Sequence, residues 1–179
     1  MLDKQIRLDS QRLHFRPLVK EDCNEVYLQW LEDTNINQYL ETRWSTQTID
    51  SIWQFVDSIN RSEHSYLFAI INNESKAHIG NIKLGPINPN HGYGDISYFI
   101  GDRESWGKGF ATEAIRTVTE FGFKRLELEM IQAGVYSSNI GSAKALLKSG
   151  YEEQGRLKNK FTTVHGTRED HIWYVMNRP

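Results

Sequence analysis

At 179 residues, with 39% hydrophobic and 25% charged side chains, the chain has the size and balance of one soluble globular domain with a full core. A formal charge of −2 offers no broad basic surface for nucleic acid, and the longest apolar run, Tyr66 to Ile71, is too short to cross a bilayer. Met1 to Arg7 is charged and lacks the apolar stretch of a secretion signal, and Cys23 stands alone, so a reducing cytoplasm is the expected location.

In chain order, Arg12 to Leu18 alternates like a strand and stops at Pro17. Glu21 to Asp33 places Cys23, Val26, Tyr27, Trp30 and Leu31 near helical spacing, and Thr48 to Ile59 does the same with Ile49, Ile52, Trp53, Val56 and Ile59. Asn35 to Trp44, between them, is polar and aromatic and reads as a folded-over loop. Three strands follow: Tyr66–Ile71, His78–Leu84 and Gly94–Ile100, separated by turn-forming residues. A helix carrying Ala114, Ile115, Val118, Phe121 and Gly122 ends near Lys124-Arg125. Met130–Tyr136 reads as a strand, Asn139–Ser149 as a helix closed by Gly150, and Tyr151–Leu157 and His171–Met176 as the last strands. No repeat or linker divides residues 1–179, so a single domain is expected. The order of elements predicts a mixed α/β sandwich around a central, largely antiparallel sheet.

Chemistry concentrates between the third of these strands and the next helix, at Ser105 to Ala114. Gly107 and Gly109 let the backbone turn tightly, so consecutive N–H groups converge where the new helix adds the positive end of its dipole. That geometry suits a phosphate or pyrophosphate. A dinucleotide-binding loop is the rival, with Glu127 or Glu129 about 20 residues downstream as that motif wants. Thr112 replaces its third glycine, however, and the loop follows an antiparallel meander. A phosphate-binding ATPase loop fails because no Gly-Lys-Ser/Thr ends the run. Six scattered His and one Cys give no metal-ligand spacing.

Trp106-Gly107-Lys108-Gly109-Phe110-Ala111-Thr112-Glu113-Ala114, together with Asn139-Ile140-Gly141-Ser142-Ala143 running to Lys148-Ser149-Gly150-Tyr151, resembles the GNAT N-acetyltransferase superfamily. The nearest likeness is to the branch of ribosomal-protein N-terminal acetyltransferases and small-molecule amine acetyltransferases, and it covers nearly the whole chain. The resemblance implies a sheet whose fourth and fifth strands splay apart and a loop that holds the pyrophosphate of acetyl-coenzyme A. The cofactor-binding set it implies is Phe99, Ile100, Gly101, Trp106, Gly107, Lys108, Gly109, Phe110, Ala111, Thr112, Asn139 and Lys148. Trp106 stands where the family pattern has Gln or Arg, and Leu146 where many members carry a tyrosine that protonates the departing thiolate. In this branch a serine three residues after the asparagine takes that role, which implies Ser142 as acid and Asn139 as an orienting residue. An N–H among Phe99, Ile100 and Gly101 would polarise the thioester carbonyl.

Asp95 is the candidate base, with Glu41 competing. Plainer readings stand beside these: Asn139 as a helix N-cap, Ser142 as a solvated or back-bonded hydroxyl, Asp95 as a turn residue, and Lys144 and Lys148 as a solvated face. Tyr39, Glu41, Arg43, Trp44 and His91 form the candidate acceptor-binding set. The expected acceptor is a small-molecule amine, such as an amino-sugar nucleotide, or a protein N-terminus. No metal, nucleic acid or membrane partner is expected, and a homodimer is common among similar proteins. The expected reaction is direct transfer in a ternary complex, since Cys23 falls in the first helix, away from the cofactor segments. The alternative is a non-catalytic sensor that binds acetyl-coenzyme A, which Leu146 favours.

Overall fold

The computed structural model describes residues 6–179, so of the charged stretch Met1 to Arg7 residues 1–5 lie outside the described residues. An eight-stranded sheet runs in the order β1-β2-β3-β4-β5-β6-β8-β7. Its strands are β1 (Leu8–Asp9), β2 (Leu13–Pro17), β3 (Tyr66–Asn72), β4 (His78–Asn88), β5 (Tyr93–Ile100), β6 (Met130–Tyr136), β7 (Glu152–Thr162) and β8 (Arg168–Asn177). Every neighbouring pair is antiparallel except β5 and β6. The helices are α1 (Glu25–Glu32), α2 (Thr34–Asn37), α3 (Ile49–Arg61), α4 (Phe110–Arg125) and α5 (Ile140–Ser149).

Strand alternation sorts the core onto the two faces of the sheet. Tyr66, Phe68 and Ile70 of β3 pack with Ala114, Ile115, Val118 and Phe121 of α4 and Leu146 of α5. Leu67 and Ala69, on the other face, pack with Tyr27, Trp30 and Leu31 of α1 and Ile52 and Val56 of α3. Both faces of β3 are thus covered, which is why its sequence is continuously apolar instead of alternating.

Some elements differ from the sequence reading. The expected helix over Glu21–Asp33 breaks where Asn24 caps α1, its side chain accepting from the amides of Val26 and Tyr27. Lys20–Asp22 is a separate 3₁₀ turn, so Cys23 is buried between two elements and not within a helix. The Asn35–Trp44 loop contains most of α2 and a 3₁₀ turn at Glu41–Trp44, and the Asp33 carboxylate accepts from the Asn35 amide at the start of α2. β7 and β8 run past Leu157 and begin before His171 as a mostly polar hairpin, which carries little hydrophobic alternation to read. The short β1 was likewise not expected.

Candidate active site

β5 and β6 pair at Tyr93↔Met130, Gly94↔Ile131 and Asp95↔Gln132 and then part. Ile96–Ile100 on one side and Ala133–Tyr136 on the other line a cleft of ≈ 1180 Å³. The Gly101 amide donates to Ile79 O at 2.8 Å, and alternate residues of an antiparallel strand face the same neighbour. The Phe99 amide therefore also turns to β4, while those of Tyr98 and Ile100 face the gap. Of the three residues expected to polarise a carbonyl, Ile100 is the one whose amide is turned to the gap. Gly101 has spent its own and lies outside the cleft lining, and the Phe99 ring packs on Tyr27 and Trp30.

The glycine loop closes one end. Gly107 and Gly109 adopt φ of 73° and 83°, left-handed values that disfavour a side chain, and α4 starts directly after them. The first bond into the helix runs from the Glu113 amide to Gly109 O, which leaves the amides of Phe110, Ala111 and Thr112 without helical acceptors. Those three residues, Gly107 and Gly109 all line the cleft. Trp106, where the family pattern has Gln or Arg, donates its indole Nε1–H to Ile100 O at 2.8 Å and so ties the loop to the end of β5. Lys108 lies outside the lining, and its carbonyl accepts from Arg12 at 3.0 Å. The same Arg12 pairs with Glu113 at 2.7 Å and lies 4.6 Å over the Phe110 ring. Burial pushes the Glu113 carboxyl upward, but bonds from the Arg12 amide, the Ser10 hydroxyl and the Arg12 guanidinium outweigh it and hold the group below its ordinary range. Convergent amides, the positive end of α4 and an open strand edge fit a diphosphate joined to an extended, amide-bearing arm.

On the facing wall, Asn139 caps α5, its Oδ1 accepting from the Ser142 amide at 3.2 Å. The plain reading of Asn139 is therefore present, and its place in the cleft lining leaves the orienting role open to it as well. The Ser142 hydroxyl lies 2.8 Å from the hydroxyl of Tyr98, which also reaches Ser142 O at 3.2 Å. Burial pushes the Tyr98 phenol up, so it stays neutral. Leu146 is fully buried, so the second hydroxyl at this point comes from β5. Lys144 and Lys148 of α5 line the cleft.

At the other mouth, the Tyr136 hydroxyl donates to Glu41 Oε1 at 2.9 Å and accepts from Arg43 Nη2 at 2.6 Å. Phe161 stacks on Tyr136 at 3.9 Å between centroids, and Tyr39 leans on it at 5.7 Å. Tyr39 and Glu41 line the cleft, whereas Arg43 stands behind Tyr136 and also donates to Thr162 O. Trp44 is 58% exposed outside the lining, with the Arg43 guanidinium over its ring. His91 sits in the β4–β5 turn, at the end of β5 remote from Ile100, and does not reach the cleft. Asp95 is absent from the lining too; it accepts from Gln132 at 2.7 Å at the vertex of the splay.

The sequence reading missed Tyr98, Arg12 and Glu113. A tyrosine at a core-facing position of a strand needs a partner for its hydroxyl, which was the available signal for Tyr98. The Arg12–Glu113 clasp joins positions far apart in sequence and left none.

The family model described as "Acetyltransferase (GNAT) domain" matches residues 12–152. The chain belongs to the GNAT acetyltransferase family. This GNAT chain is 31% identical to the uncharacterized N-acetyltransferase p20 of Bacillus licheniformis over 85% of each chain. Its fold is similar to that of spermidine N-acetyltransferase from Vibrio cholerae, solved with CoA and spermine, at TM-score 0.82, 22% identity and coverage of 94% of this chain and 96% of the other. It is similar also to the ribosomal-protein-S5-alanine acetyltransferase of Vibrio fischeri, at TM-score 0.80, 19% identity and coverage of 97% and 100%. The GNAT protein is an acyltransferase, and its mixed sheet with one splayed parallel pair is the expected architecture. Among the described residues no helix is long and apolar enough to cross a membrane.

Proposed function

We propose that this GNAT enzyme moves the acetyl group of acetyl-coenzyme A directly to a primary amine, with both substrates meeting in the cleft between β5 and β6. The observation that carries this reading is the convergence on one cleft of the unpaired α4 amides, the open edge of β5 and the Ser142–Tyr98 hydroxyl pair. When bound, acetyl-coenzyme A supplies the activated acyl group and nothing else is required of it. The amides of Phe110 to Thr112 hold its diphosphate, with Lys148 nearby. The Ile100 amide faces the gap where charge develops on the thioester oxygen.

Ser142 delivers a proton to the leaving sulfur. For that, Tyr98 must be the donor in their shared 2.8 Å bond, which leaves the serine proton free to point into the cleft. Asn139 holds Ser142 in place through its cap. Glu41 takes the ammonium proton in preference to Asp95, because it lines the cleft and Asp95 does not. Burial first, then the charges of Asp22 and Glu21, push the Cys23 thiol up to about 11, which speaks for direct transfer without an acyl-enzyme.

The acceptor is a small-molecule amine or a protein N-terminus. The placement of Ser142 and Tyr98 weighs against the sensor reading, which needs no proton donor at all. Calorimetry with acetyl-coenzyme A and thiol release across an amine panel test the proposal. Uptake followed by release with at least one amine is expected. Absence of uptake overturns the reading, and uptake without turnover on any amine replaces the enzyme with a sensor.

A further inference from the structure

The acceptor side of the cleft lies on the sheet face covered by α1 and α3, and two donors from β4 stand on it. Asn81 opposes Phe99 and Lys83 opposes Ser97, so both side chains share the face of Leu67 and Ala69. Both line the cleft. A lysine in the middle of a buried strand is costly unless something answers its charge. Lys83 feels Asp95 on the neighbouring strand, yet among the described residues it forms no ion pair, and burial lowers its pKa. Asp95 is itself bonded by Gln132.

Asn81 is 2% exposed, and among the described residues its Nδ2 has no hydrogen-bond partner. The Tyr27 hydroxyl lies beside it, but no bond of proper distance and angle forms. The amide orientation is fixed by chemistry. His78 Nε2 reaches Gly80 O at 3.0 Å and must carry the proton, so the Asn81 atom 2.8 Å away is the carbonyl oxygen. Nδ2 is then the atom left over. A buried amide donor without a hydrogen bond and a half-buried ammonium without an ion pair, adjacent on one face among the described residues, call for an oxygen-rich group of negative charge.

The charge pattern of the lining agrees. Among the described residues that line the cleft, Glu41 is the one carboxylate, and it stands with Tyr136 at the mouth. A polyamine, with several positive charges, would meet a single carboxylate and an opposing lysine. A molecule with one ammonium and one anionic group would meet Glu41 at one end and Lys83 with Asn81 at the other.

We propose that the acceptor is a small primary amine that also carries an oxyanion, a carboxylate or a phosphate, bound by Lys83 and Asn81. This inference rests on the acetyltransferase reading above.

The test compares kcat/KM for matched pairs: an amino acid and its methyl ester, and an amino-sugar phosphate and the free amino sugar. Spermidine and an uncharged-side-chain N-terminal peptide complete the panel. Loss of the anionic group should lower kcat/KM by about 10- to 100-fold, the size of one charge-assisted hydrogen bond. The pair that shows the larger ratio separates carboxylate from phosphate. In Lys83→Met that discrimination should shrink to about twofold, chiefly through the acceptor KM, with acetyl-coenzyme A affinity unchanged in calorimetry. Lys83→Glu should move preference toward spermidine.

The inference is overturned if neutral partners or spermidine match the anionic amines, if the peptide is the best acceptor, or if Lys83→Met slows all amines alike. Should Lys83→Met fail to fold, the wild-type pairs decide alone. Acetyl-coenzyme A uptake with neutral amines turned over as well as anionic ones removes only this inference. Lack of uptake removes the enzyme reading with it.

Discussion

The Tyr98 phenol has two possible acceptors on Ser142, and its choice fixes what the serine hydroxyl can do. If Tyr98 donates to Ser142 O, the serine proton is drawn back toward the phenol; if it donates to Oγ, that proton is released to the cleft. Ser142→Ala should therefore lower kcat by about 10² or more with little change in acetyl-coenzyme A affinity, as read by steady-state rates and calorimetry. Tyr98→Phe should cost about tenfold, since it removes one bond and leaves the acid in place. An unchanged rate in Ser142→Ala would show that the thiolate leaves without this proton. Glu41→Gln should lose rate most at low pH, where the amine arrives charged, while Asp95→Asn should retain most activity. Asn139 was legible as a cap because a helix start announces itself locally, whereas Ser142 was singled out through the family resemblance alone. Tyr98 was not legible, because its partner lies 44 residues away and the contact exists only once β5 and α5 have met.

The glycine turn and α4 work as one element, clamped at three points. Trp106 ties it to β5, Arg12 holds the Lys108 carbonyl, and Glu113 in the first turn of the helix is gripped by Arg12 and Ser10. Gly109→Ala should cost about 1–2 kcal/mol of strain at its left-handed φ and weaken acetyl-coenzyme A binding, measured by chemical denaturation and calorimetry on the same sample. Trp106→Phe keeps the ring and removes the indole N–H, so it should weaken binding with a smaller effect on stability. An affinity unmoved by Trp106→Phe would mean that the clamp does not set the loop. At this level the sequence was a good guide where signals are local. β6 was read as Met130–Tyr136 and is so placed, and α3 begins after its Thr48 cap as its pattern predicts. Reading failed where a side chain redirected the backbone, as Asn24 does in breaking the first helix, and where strands are polar on both faces, as in β7.

For the molecule as a whole, acid is the expected weakness. His171 is 3% exposed on β8; burial first, then the charge of Lys160, whose Nζ lies 2.7 Å from its Nδ1, push it down to about 4. Aromatic rings of Phe161 and Trp173 cover its other sides. Between its ordinary value of 6.5 and about 4, the unfolded chain binds a proton that the fold refuses, so stability declines as pH falls through that window. Asp22 and Glu113 extend the decline. Burial raises each, but bonds from Arg16 and the Val19 amide in one case, and from Arg12 and Ser10 in the other, leave both lowered. Their contribution is complete above the ordinary carboxylate range and disappears as pH drops through their depressed values. Urea midpoints measured from pH 7 to 4.5 should fall steadily, and His171→Gln should flatten the upper part of that curve. A slope unchanged in His171→Gln would assign the loss to other groups.

The seam between β5 and β6 has a wider consequence. Three residue pairs join the two portions of the sheet, and past Asp95 the β5 edge has no paired strand on that side among the described residues. An extended ligand laid along Tyr98 and Ile100 would act as a surrogate strand and knit the halves together. Saturation at a hundred times Kd would then stabilise the fold by about 2.7 kcal/mol. Deuterium uptake at those two amides would slow in step with occupancy, giving a probe-free gauge of whether the gap is filled.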